Sequence, residues 1–61
     1  MLNLYEVSIV FTDGSKHTML SVETNVKDAR DWAVQCYCID HGNWTRHLIV
    51  GTITKEINSD L

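Results

Sequence analysis

Two cysteines, an aspartate and a histidine fall within six residues of one another in the stretch CYCIDH, residues 36–41. Such donors can hold a transition metal or supply an activated thiolate. The spacing argues against both. On a helix Cys36 and Cys38 project about 200° apart, so one ion cannot take both without unwinding the chain. Zinc sites pair Cys-x(2–4)-Cys with a second pair of ligands, and no such second pair follows. His17 and His47 are the remaining imidazoles, and nothing in the sequence brings them to the cysteines. Cys38 and His41 are three apart and can touch on a helix. A thiolate nucleophile also needs a third group to orient its base and an oxyanion site. There is no phosphate-binding glycine loop and no paired-carboxylate constellation. The expectation is a protein without catalytic residues, metal or cofactor, with Cys36 a small core residue and Cys38 a partly exposed thiol.

Residue types that bind are more prominent. Trp44, Arg46 and His47 stand together in WTRH, and Trp and Arg dominate the energetics of protein interfaces. Trp32 reads as a core residue at the edge of a helical stripe. Glu23, Asp28, Asp31 and Asp40 form a solvated acidic set that suits a basic protein surface or imitates DNA phosphates. The chain has 61 residues, five basic and eight acidic, for a net charge of −3. That balance argues against direct nucleic-acid binding, which needs a basic surface. No apolar run is long enough for a membrane span, and the N-terminus lacks the charged start of a signal peptide. Two cysteines separated by one residue do not make a secreted disulfide framework. An intracellular, cytoplasmic protein is expected. Residues 1–61 make one domain, of a size that buries only about 60% of its unfolded surface and has no room for a deep substrate cavity.

The elements that position these residues follow from periodicity. LYEVSIVF (4–11) and HTMLSVE (17–23) alternate with period two, as half-buried strands do. Asp13-Gly14 between them marks a tight turn. A two-residue turn there sets Tyr5, Val7 and Ile9 opposite Val22, Leu20 and Thr18, with both apolar sets on one face. Asn25 is a helix N-cap with Asp28 three residues on. Val26, Ala29, Trp32, Ala33, Cys36 and Tyr37 make an apolar stripe at 100° per residue. Gly42 ends the helix, with His41 in its last turn. NWTRHLIVGTITKEI (43–57) reads as a third strand, with a bulge or close approach at Gly51, and NSDL as a frayed tail. The fold class is α+β: a two-layer β-β-α-β domain with a three-stranded antiparallel sheet in the order 2-1-3 and one helix on one face. Both outer strands have free edges.

The strand hairpin, the helix VETNVKDARDWAVQCY and the segment WTRHLIV together resemble the small T7-type phage inhibitors of host RNA polymerase. The likeness spans residues 4–50. It rests on element order and length, on Glu23-Thr24 before a helix carrying Ala29 and Ala33, and on a Thr45-Arg46 step in the third strand. Leu48 stands where that family has a second arginine. The resemblance implies a phage host-takeover protein that binds and inhibits a host enzyme, first of all bacterial RNA polymerase, through Arg46 and Glu23. Two alternatives stand beside it. One is an acidic DNA-mimic inhibitor of a DNA-repair or defence enzyme, since the topology is also similar to phage uracil-DNA glycosylase inhibitors. The other is a non-inhibitory module that forms a homodimer through an edge strand.

Overall fold

The computed structural model describes residues 1–58; of the expected tail, Asn58 is the last residue of a strand and residues 59–61 lie outside the described residues. β1 (Asn3–Phe11) and β2 (Lys16–Glu23) form a hairpin, α1 (Val26–His41) crosses one face, a 3₁₀ segment (Asn43–Leu48) turns back, and β3 (Ile49–Asn58) returns beside β1. The sheet is antiparallel in the order β2-β1-β3, with the helix packed on one side. The expected β-β-α-β architecture is therefore the one present.

The hairpin register differs from the expected one by a single residue, and this has large consequences. Phe11 N–H donates to Ser15 O at 2.9 Å and Gly14 N–H to Phe11 O at 3.0 Å. The loop thus has three residues, Thr12-Asp13-Gly14, with Gly14 at φ +87°. This is a three-residue hairpin loop closed by a glycine at positive φ. Asp13 Oδ1 accepts hydrogen bonds from the Ser15 hydroxyl at 2.6 Å and the Ser15 N–H at 2.9 Å, and these two bonds hold its carboxyl below the usual range. With one more loop residue, Val7 lies opposite Met19, Tyr5 opposite Ser21 and Ile9 opposite His17. A one-residue slip turns a whole strand over. His17, Met19 and Ser21 face the helix, while Thr18, Leu20 and Val22 face away from it, contrary to expectation.

Tyr5, Val7, Ala29 and Ala33 form the centre of the core, with Met19 packed against it. Ala29 and Ala33 are fully buried; without bulk beyond Cβ they let the helix sit low on the sheet. The helix contact is consequently narrower than the expected stripe. Trp32 and Val26 are 46% and 50% exposed, so Trp32 is not core: an indole at the margin of a close contact has no depth to enter. The N-terminus of α1 is capped as expected, with Asp28 N–H donating to Asn25 Oδ1 at 2.9 Å and Asn25 Nδ2 donating back to Asp28 Oδ2 at 3.1 Å. At the other end Gly42, at φ +104°, donates its N–H to Cys38 O. A Cβ on Gly42 would also stand 2.7 Å from the Trp44 indole nitrogen, so both backbone and space select glycine there.

Strand β3 begins at Ile49, not at residue 43. Thr45 explains the difference. Its N–H and Oγ1 both donate to Gly42 O, at 3.0 and 2.7 Å. A local side-chain bond of this kind offers the backbone an alternative to extended structure. Irregular pairing with β1 occurs at both ends of β3, between Val10 and Phe11 and between Leu4 and Tyr5. The bulge expected near Gly51 is the first of these; a Cβ on Gly51 would meet open space, so no close approach is involved.

Candidate interaction site

The 3₁₀ segment places the expected binding residues at the hairpin end of the molecule. Thr12 N–H donates to Leu48 O at 2.8 Å and ties the segment to the hairpin loop. Thr45 is buried beneath it, and its hydroxyl lies 3.7 Å from Cys38 Sγ. Cys38 is therefore the buried thiol and Cys36 the half-buried one, the reverse of the expectation. Helical periodicity put Cys38 on the outside; the chain then folds back at Gly42 and covers it. Both thiols are free.

Around this anchor, Trp44, Arg46 and His47 are exposed. Trp44 keeps 65% of its surface accessible even with its indole against Gly42. Arg46 lies on a 3₁₀ turn rather than on a strand. It lines two shallow grooves. One runs between α1 and β3, past Arg30, Val34, Gln35 and Thr52; the other passes Gln35, Ile39, Gly42 and Asn43. The first exists because α1 lies over β1 and β2, leaving Thr52 and Thr54 of β3 half covered. Arg30 is drawn to Asp31 at 3.6 Å, and Asp31 also meets Lys27 at 3.4 Å. Among the described residues Arg46 has no ion-pair partner. Its guanidinium stays hydrated and free to pair with an incoming carboxylate.

Glu23 does not join this group. It pairs with Asn3 at one end of β1, whereas Phe11 at the other end pairs with Ile49, where the 3₁₀ segment enters β3. Nine residues of strand put the two ends about 27 Å apart. Ile39, by contrast, was not singled out by sequence and stands 72% exposed in the groove beside Arg46. The signal was weak: at 100° per residue Ile39 falls about 100° from the centre of the Ala29–Ala33 stripe, beside Trp32 at its margin, where an apolar residue reads as the edge of the core.

A second cluster also escaped the sequence reading. Tyr37 stacks on His41 at 4.1 Å between ring centroids, with His17 at 5.0 Å and Phe11 at 5.1 Å. His41 Nδ1 lies 3.1 Å from Tyr37 O, so its ring is committed to the end of the helix. The Tyr37–His41 spacing of four residues permits this stack; the His17 contact depends on the register of β2. Among the described residues no group of three or more His, Cys, Asp or Glu side chains gathers as a metal ligand set, and no helix is long and apolar enough to cross a membrane.

No family model, curated protein or solved structure matches this chain.

Proposed function

We propose that the chain acts by binding another protein through the corner built from Ile39, Trp44 and Arg46, and that binding inhibits the partner. The observation that carries this reading is the groove in which the largely exposed Ile39 stands beside Arg46, an arginine with no ion-pair partner among the described residues, with the exposed Trp44 in the same short segment as Arg46. Aromatic and arginine anchors of this kind dominate protein interfaces. The 3₁₀ segment that presents them is held at both ends, by Gly42 and by Thr12, so little ordering entropy is lost on binding. The resemblance to phage polymerase inhibitors makes bacterial RNA polymerase the first partner to test. That likeness now rests on element order and on an exposed Arg46, because the Thr45-Arg46 step lies outside the third strand.

The test is in-vitro transcription by bacterial RNA polymerase with the protein titrated in. Inhibition below roughly 10 µM, about −7 kcal/mol of binding, is the expected result. Arg46→Glu loses a pair and adds repulsion, so inhibition should weaken at least about 100-fold. Stability should move by less than about 0.5 kcal/mol. Lys27→Glu, the same charge change in the first turn of α1, should inhibit like the wild type. Transcription untouched at tens of micromolar would exclude the polymerase; inhibition indifferent to Arg46→Glu would exclude this surface.

A further inference from the structure

We propose that the helix-free face of the sheet is the interface of a homodimer, formed when two copies pack face to face into a helix–sheet–sheet–helix sandwich. The face is built from Leu4, Glu6, Ser8 and Val10 of β1, flanked by Thr18, Leu20 and Val22 of β2 and by Ile53 and Lys55 of β3. Leu20, Ile53 and Val22 are 60%, 56% and 47% exposed. β2 presents Leu20 and Val22 outward and Ser21 inward, where Ser21 Oγ is buried without a hydrogen-bond partner. A strand that points two branched apolar side chains away from its own core while turning a hydroxyl in beside Met19 breaks the usual pattern, and such breaks mark function.

Three properties of this face select a second copy as the occupant. The first is size. Three strands of eight to ten residues, about 4.8 Å apart and rising about 3.3 Å per residue, make a face of roughly 14 × 28 Å. That footprint of roughly 400 Å² per copy suits a weak, concentration-dependent contact between two copies, at the low end of specific interfaces. The second is charge. The chain carries a net −3, yet Glu23 and Glu56 lie on the helix side of their strands. Glu6 is the sole strand acid on the open face, set directly opposite Lys55, with Lys16 at the hairpin end. Two copies can therefore approach along this face without the repulsion their net charge would impose elsewhere. The third is the thin core, whose largest fully buried side chains are Ile9 and Val7. A domain this small usually needs a disulfide, a metal or a partner subunit, and its two cysteines are free. Strand addition along β3 is opposed by its irregular pairing at both ends, since bulges of this sort protect an edge; β2 keeps a regular edge, but its exposed apolar side chains Leu20 and Val22 stand on the face.

Sedimentation velocity from about 1 µM to about 1 mM, a range that brackets dimer affinities of −4 to −8 kcal/mol, tests this. The mass should rise to twice that of the chain, and the thermal midpoint should rise with protein concentration, as linkage requires. Leu20→Lys with Ile53→Lys should weaken the dimer at least about 100-fold, because each buries an unpaired charge. Leu20→Thr, milder and suited to a strand, should weaken it about tenfold. If the lysine variant loses its circular dichroism, the wild-type concentration dependence and Leu20→Thr decide alone. A single-chain mass at every concentration with a constant midpoint would overturn the proposal. So would a dimer indifferent to these substitutions, which would place the contact on an edge.

Discussion

On the helix side of the sheet, Tyr5 and Val7 are sealed under Ala29 and Ala33 and Ile9 is fully buried; on the other side, Leu20, Val22 and Ile53 stand about half exposed. The two sets are chemically alike. What separates them is that small alanines let one helix lie flat across one face, while nothing in the chain's described residues covers the other. The described residues form one α-helix, and it covers one face. The apolar content that alternation reads as a single core is therefore divided between a core and a surface.

That comparison is sharpest when the same change is made on both faces. Ile9→Ala, at a fully buried position, should cost about 2–5 kcal/mol in a urea melt. Ile53→Ala, on the open face, should cost well under 1 kcal/mol in samples dilute enough to be monomeric. Equal losses would mean that Ile53 is already packed within one chain. A smaller effect of opposite sign is expected at Ser21. Ser21→Ala removes a buried hydroxyl that has no partner and should stabilise the fold by up to about 1 kcal/mol. A destabilised Ser21→Ala would show that the hydroxyl is satisfied and that β2 sits differently against the helix.

Strand order, the Asn25 cap and the Gly42 stop were legible in the sequence because each depends on a few local residues. The register of β2 was not. Asp13-Gly14 serves either a two-residue turn or the second and third positions of a three-residue one, and both put Gly14 in the left-handed region. The choice depends on whether Asp13 bonds Ser15, and it decides the orientation of every residue in β2. The 3₁₀ segment was hidden for a similar reason, since Thr45 and Ile49 are good strand residues until Thr45 bonds back to Gly42. Cys38 and Ile39 show the limit of helical periodicity itself. Both fall away from the Ala29–Ala33 stripe, yet the returning chain buries Cys38 and leaves Ile39 bare. Of the expected binding residues, Trp44, Arg46 and His47 come together because they share one short segment, while Glu23 was joined to them only by analogy and lies at the far end of the sheet.

The division of the sheet into a covered and an open face depends on which side of β2 meets the helix, and nuclear Overhauser contacts to the Ala33 methyl report this directly. Met19 packs against the core that contains Ala33, so cross-peaks from Ala33 to the Met19 side chain are expected, with none to Leu20 or Val22. Contacts from Ala33 to Leu20 in place of Met19 would contradict the three-residue turn, the open apolar face and the interface built on it.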